Sequence, residues 1–246
     1  MLSLRNDRNE LLGGLIAGTD DYVTGGAAAE EILAPVAVGR GITYLDGSVR
    51  TSYRENLRNC GNDPLTGSHN LRFLERNLHR ELEHSRRTNL PLAILSCDID
   101  HFKRINDGLG YEAGDEVLRA FVTRAGRCID QRIDWIARSG GEEFVLVLPE
   151  ANLETACRVA ERLHRALAAQ SISTSAGPLA VTVSTGIAAL ETVEELSVVS
   201  ATELLRAAAC GQYASKHLGR DRTTVTSVGR GLVLSDAQTG VILGAA

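Results

Sequence analysis

No run of apolar residues in this chain is long enough to cross a bilayer, and the opening stretch Met1 to Glu10 is polar where a secretory leader would be apolar. Both absences point to a cytoplasmic protein with no membrane partner. Cysteine is sparse and unpatterned: the five thiols at 60, 97, 128, 157 and 210 show no metal-type spacing. Their odd number, without a leader, argues for reduced thiols rather than a disulfide scaffold. Positive charge is also in short supply, with 26 Lys and Arg against 31 Asp and Glu and a net charge of −5. That balance argues against a general nucleic-acid or anionic-surface binder. What the chain does have is 246 residues with 43% apolar content, enough for one substantial domain and a smaller module.

The most informative segment is Arg138-Ser139-Gly140-Gly141-Glu142-Glu143-Phe144, running into Val145-Leu146-Val147-Leu148. Paired glycines allow a sharp turn and a close approach to a ligand, and two carboxylates follow at the mouth of a strand. A second acidic cluster ends another apolar strand, Leu92 to Cys97, followed by Asp98-Ile99-Asp100-His101-Phe102-Lys103-Arg104-Ile105-Asn106-Asp107. Mg2+ takes one or two protein carboxylates and completes its shell with water and substrate phosphate. Asp98 and a glutamate of the Gly-Gly turn can supply those carboxylates if their strands are neighbours. Lys103 then serves as a point charge for a terminal phosphate, with free amides of the next helical turn beside it. Asp100 has no separate claim on the metal once Asp98 is placed, and reads as structural.

Five segments together, Asp63-Pro64-Leu65-Thr66-Gly67, Asp98 to Asp107, Gly114-Asp115, Gly140 to Phe144 and Lys216-His217-Leu218-Gly219-Arg220, resemble the GGDEF-domain diguanylate cyclases. They occur in the family's order over about two-thirds of the chain. The resemblance implies an α+β fold, a mixed central sheet flanked by helices in a palm-like layout. It implies Asp98, Glu142 and the Ile99 carbonyl as ligands of Mg2+, two ions per active site with Mn2+ as an alternative, and Glu143 beside them. Glu142, Glu143 and Lys103 are the implied catalytic groups. Asn106 and Asp115 are the implied guanine readers, since Asn both donates and accepts and an ionised Asp accepts from the guanine N1 and N2 hydrogens. Lys103, Lys216, Arg220 and the amides near Phe102 form the implied triphosphate clamp. Lys216 and Arg220 also suit an ordinary basic helix end.

The implied reaction joins two GTP molecules into cyclic di-GMP with release of two pyrophosphates, each subunit of a homodimer holding one GTP. The alternative is a catalytically weak module that binds GTP or cyclic di-GMP and signals by contact. Several positions depart from the family pattern. The product-inhibition motif Arg-x-x-Asp reads Gln131-Arg132-Ile133-Asp134 here, and glutamine lacks a guanidinium's charged, bidentate contact. With Asp134 and Arg162 retained, a degraded feedback site is expected. Tyr111 replaces the usual His, Ser68 and Leu71 alter the opening motif, and Ala209 replaces an Asp.

Periodicity predicts helices over 68–87, 114–129, 152–169 and 201–216 and strands over 93–97, 133–137, 143–148, 179–188 and 222–228. The strands 133–137 and 143–148 are expected to form a hairpin across the two glycines, with the turn at the edge of the sheet and its glutamates near Asp98. Residues 62–228 form the expected catalytic domain, and the tail 229–246 is expected to add a small hairpin. Residues 1–35 resemble the last strand and helix of a response-regulator receiver domain, with Gly25-Gly26 where that family has Lys-Pro and no phosphoryl-accepting Asp. Over 36–61 the spacing Ile42, Leu45, Val49, Tyr53, Leu57 predicts a connecting helix that pairs with a second copy or packs on its own domain.

Overall fold

The computed structural model describes residues 61–228, together with the short strands Leu2–Ser3, Val23–Thr24, Val233–Asp236 and Ile242–Gly244. The chain divides into two units, Met1–Asn59 and Cys60–Ala246. In the first, Leu2–Ser3 pairs in parallel with Val23–Thr24. The receiver-like segment over 1–35 otherwise falls outside the described residues, as does the connecting helix expected over 36–61 except for Gly61.

The second unit is built on one eight-stranded mixed sheet. In chain order its elements are β1 (His69–Asn70), α1 (Leu71–Thr88), β2 (Leu92–Ile99), α2 (Phe102–Leu109), α3 (Tyr111–Gly126), β3 (Trp135–Arg138), β4 (Glu143–Pro149) and α4 (Leu153–Ala168). There follow β5 (Ile172–Thr174), β6 (Gly177–Leu179), β7 (Val183–Leu190), α5 (Val193–Val198), α6 (Ala201–His217), β8 (Arg222–Ser227), β9 (Val233–Asp236) and β10 (Ile242–Gly244). The strand order is β10-β9-β8-β7-β2-β4-β3-β1, with β5 and β6 forming a separate hairpin. The α+β class with a mixed sheet flanked by helices is as expected.

Every residue of β2 is buried, because helices cover both faces of the sheet at its centre. Strand alternation sorts them. Ala93, Leu95, Cys97 and Ile99 join a core with Val117 and Phe121 of α3 and Val159 and Leu163 of α4. Leu92 and Ile94 join the opposite core, with Leu74, Leu78 and Leu82 of α1 and Leu204 and Ala208 of α6. Asp98 has the parity of Leu92 and Ile94. It therefore continues the face that α6 covers.

Helix α6 lies unusually close to the sheet. A Cβ on Gly186 of β7 would fall 2.0 Å from the Ala208 carbonyl, and one on Gly211 of α6 would fall 2.8 Å from the Thr224 carbonyl. Two glycines facing one another let helix and sheet backbones meet, and Ser215 fixes the register by donating to the Thr185 carbonyl at 2.8 Å. The last turn of α6 is thereby delivered over the end of β2.

Several local expectations shift. Helix α1 starts at Leu71, not Ser68, because Asn70 caps it by accepting from the Phe73 amide at 3.0 Å. The segment expected as one strand over 179–188 is split: Leu179 ends the β5–β6 hairpin and the central strand begins at Val183. In the β3–β4 hairpin, β4 pairs with β2 directly, with Glu143 opposite Asp98, and the two-residue β1 lies outside β3. The tail does add two antiparallel strands, which extend the main sheet from β8. Among the described residues, no helix is long and apolar enough to cross a membrane.

Candidate active site

The carboxyl end of β2 and the start of β4 meet in antiparallel register, with Asp98 opposite Glu143. One step further, the Ile99 amide donates to the Glu142 carbonyl at 3.3 Å. Residues 44 positions apart in sequence thus share one strand end, which is the condition the sequence reading required of Asp98 and Glu142. Asp98 is buried, Glu142 is half-buried and Glu143 is exposed. Lys216, from the last turn of α6, donates to Asp98 Oδ2 at 2.6 Å. The Asp98 carboxyl is pushed up to about 6, by burial first and by the charges of Glu142 and Glu143, against the downward pull of Lys216.

The turn between β3 and β4 is held by a residue to which sequence reasoning gave no role. Arg138 donates from Nε to the carbonyls of Gly140 and Gly141 at 3.1 Å each, and from Nη2 to Gly141 at 2.7 Å. Its Nη1 reaches both carboxylate oxygens of Asp63, at 3.1 and 3.3 Å. Asp63 also accepts from the Thr66 amide and hydroxyl at 2.9 and 2.7 Å. Burial pushes Asp63 upward, but the Thr66 bonds and Arg138 outweigh it and hold the carboxyl below its usual range. One guanidinium therefore ties the opening Asp-Pro-Leu-Thr-Gly segment to the Gly-Gly turn. The signal was an arginine placed just before two glycines and an aspartate 75 residues upstream, a pairing visible only in space. A Cβ on Gly140 would sit 2.8 Å from Glu143 Oε2, the movable end of an exposed side chain.

Helix α2 begins at Phe102 with His101 in the left-handed region (φ 59°) and no side-chain cap on its first amides. In contrast, Asn70, Asn152, Thr192 and Ser200 cap α1, α4, α5 and α6. Phe102 and Ile105 anchor α2 in the core and leave Lys103 exposed. Asn106 comes next to Gly114 of α3, where a Cβ would fall 2.0 Å from Asn106 Oδ1. That oxygen is buried without a hydrogen-bond partner. Asp115 follows Gly114 and stays half-exposed, 4.0 Å from Arg119. Asn106 thus meets α3 at the residue before Asp115, with its Oδ1 acceptor left open.

Asp100 is buried and shares no partner with Asp98 among the hydrogen bonds of the described residues. It accepts from the hydroxyls of Thr182 at 2.7 Å and Ser184 at 2.6 Å, the structural role expected for it. Among the described residues, no group of three or more His, Cys, Asp and Glu is arranged to hold a metal alone. Lys216 Nζ holds the cationic position on Asp98.

Of the three residues expected in a degraded product site, two share a cleft. Gln131 and Asp134 line an open cleft of about 350 Å3 with Ser68, Trp135 and Ile136. Gln131 Nε2 is turned away to cap α3, donating to the Gly126 carbonyl at 2.7 Å. Arg162 lies close enough to Asp134 to lower its pKa against the larger upward push of burial, but spends Nε and Nη2 on the Cys128 carbonyl at 3.3 and 2.7 Å. Arg132 is paired with Asp130 at 2.5 Å.

A family profile described as "Diguanylate cyclase, GGDEF domain" matches residues 61–222. Diguanylate cyclase DgcP of Pseudomonas aeruginosa is 35% identical over 228 residues, which is 91% of this chain and 33% of that protein. Response regulator PleD of Caulobacter vibrioides is 33% identical over 218 residues, 88% of this chain and 47% of that protein. The chain thus spans between a third and a half of the length of these relatives. Among solved structures, the GGDEF domain of TpbB (YfiN) from Pseudomonas aeruginosa is similar with a TM-score of 0.62 at 32% identity, covering 67% of this chain and 93% of that one. The coiled coil and GGDEF domain of DgcB from Caulobacter crescentus, solved in complex with c-di-GMP, gives 0.62 at 25% identity over 79% of this chain and 98% of that one.

Proposed function

Because this chain belongs to the GGDEF-domain diguanylate cyclase family, we propose that it condenses two GTP molecules into cyclic di-GMP with release of two pyrophosphates. The observation that carries the proposal is the meeting of Asp98, Glu142 and Glu143 at one strand end with Lys216 on Asp98. Two glutamates beside one buried carboxyl disfavour its ionisation, an arrangement that is costly unless a cation or phosphate-bound cation relieves it.

Asp98 and Glu142, with the Ile99 carbonyl, would hold Mg2+; bound there, Mg2+ supplies Lewis-acid stabilisation of the phosphates and of the attacking oxygen. On this reading Lys216 leaves Asp98 for a phosphate, which its single flexible ammonium can do without breaking other bonds. Lys103 and Arg220 neutralise the remaining triphosphate charge, and the uncapped α2 amides donate to it. Asn106, with its open Oδ1, and Asp115 orient the guanine. Glu142 or Glu143 accepts the proton of the attacking 3′-hydroxyl. The protein's part is mainly positioning and charge stabilisation.

Each nucleotide must be attacked by the other's 3′-hydroxyl, so two copies of the chain meet face to face, at least during turnover. Incubating the protein with GTP and Mg2+ over a range of protein concentrations tests both parts. Cyclic di-GMP should form at a rate rising more steeply than linearly with protein. Glu142→Gln and Asp98→Ala should each lower the rate by about hundredfold or more. Nucleotide binding without product in the wild type would instead identify a binding module.

A further inference from the structure

We propose that His164 and Asp100 are positioning residues that hold Arg220 at the phosphate end of the site, through the backbone of Gly219, Arg220 and Asp221; this rests on the GTP reading above. Arg220 and Asp221 are consecutive non-glycine residues in the left-handed region, with φ of 64° and 45°, directly after Gly219 at 114°. L-residues avoid that conformation, above all in succession, and keep it only where surrounding bonds over-determine it. Those bonds can be named. The Arg220 amide donates to the Ser215 carbonyl at 2.9 Å. The Asp221 amide donates to Asp100 Oδ2 at 3.1 Å. His164 Nδ1 lies 3.2 Å from Asp221 Oδ1, and Arg222 Nε donates back to the Arg220 carbonyl at 3.1 Å.

Asp100 stands two residues beyond Asp98, and its carboxylate is already oriented by Thr182 and Ser184. Its bond to the Asp221 amide therefore references the Arg220 loop to the strand end that carries Asp98. His164 braces the same loop from α4. A tautomer with its proton on Nδ1 donates to Asp221, while Nε2 accepts from the Thr223 hydroxyl at 3.1 Å and faces that of Thr185 at 3.4 Å. The His164 ring is 13% exposed and so cannot swing freely, whereas Asp221 is 61% exposed. A contact with so exposed a partner adds little to stability. Its worth is geometric: it selects one backbone conformation for the residue that carries the guanidinium.

The test compares affinity for a non-hydrolysable GTP analogue with Mg2+, by calorimetry, with thermal unfolding of the same proteins. His164→Leu should weaken binding about tenfold while shifting the melting temperature by no more than about 2 °C. His164→Asn, whose side-chain amide reproduces the Nδ1 donor, should recover most of the affinity. Asp221→Gly, which removes both carboxylate and strain, should weaken binding like His164→Leu without needing a destabilised fold. In an Arg220→Ala background, His164→Leu should add nothing. The proposal is overturned if His164→Leu and Asp221→Gly bind as the wild type does, if Asn fails to rescue, or if the His164→Leu loss persists in full without Arg220. A wild type that binds no analogue, or an Arg220→Ala protein that binds it unimpaired, overturns the GTP reading itself, and the positioning role falls with it.

Discussion

Replacing Asp98 with asparagine should make the metal-free protein more stable at neutral pH. The carboxyl is raised from its ordinary 3.8 to about 6, burial being the largest cause and the charges of Glu142 and Glu143 adding to it. A group whose pKa is higher in the folded state favours folding while protonated and loses that contribution as pH rises through the folded value. From 3.8 to about 6 the loss is roughly 3 kcal/mol at most, and about 2 kcal/mol once water reaching the mouth of the site is allowed for. Asparagine resembles the protonated acid and does not titrate, so the difference between the two proteins isolates this one group. In chelator-treated samples at pH 8, Asp98→Asn should melt about 6 °C above the wild type. About half of that gap should close by pH 5, and the rest below pH 4. Thermal unfolding followed by circular dichroism at four or five pH values is sufficient. A variant that melts below the wild type at pH 8, or a gap indifferent to pH, would refute the account of Asp98 as a carboxylate held at a cost for a cation.

Arg138→Gln should destabilise the domain by about 2 kcal/mol, since several charge-assisted bonds to Asp63 and the Gly-Gly turn are lost together. Asp63 is held below its usual range, so this contribution is present at neutral pH and fades as pH falls through the folded value; denaturant unfolding at pH 7 and pH 3 would show the difference shrink. Gly114→Ala should weaken GTP binding by about tenfold or more, because the new methyl would lie 2.0 Å from Asn106 Oδ1 and must displace that side chain; equilibrium binding of a fluorescent GTP analogue reports it. Cyclic di-GMP added to the turnover assay should inhibit weakly, because Gln131 caps α3 and presents no charge to a phosphate. Gln131→Arg should increase that inhibition, and tight inhibition of the unaltered chain would contradict the reading.

The long, strongly periodic elements were legible in the sequence. Leu71, Leu74, Leu78 and Leu82 mark α1, and Asn152 marks the start of α4, where it does cap the Thr155 amide. The β5–β6 hairpin and α5 were not: strands of three residues and a helix of six are too short to display a period. Helix α2 was legible only as a helical turn after the acidic strand, since Phe102 and Ile105 are its sole buried anchors. Arg138 and His164 escaped notice for a different reason. Each owes its role to a partner more than fifty positions away, Asp63 and Asp221 respectively, and no local pattern reports such a pairing.

What the sequence determined by itself was chemical: carboxylates ending one strand and opening another, a glycine pair that permits the turn between β3 and β4, and cations four positions apart at 216 and 220. Side-chain identity and short spacing are sufficient for that, because both are properties of a few adjacent residues. The tertiary structure decided which of those groups meet. Strand parity turns Asp98 toward α6, and facing glycines at 186 and 211 bring that helix close enough for Lys216 to reach it. The pairing of β2 with β4 places two glutamates beside a carboxyl already costly to ionise. Register and close packing are settled by the whole sheet at once, so distances across it cannot be read from any one segment.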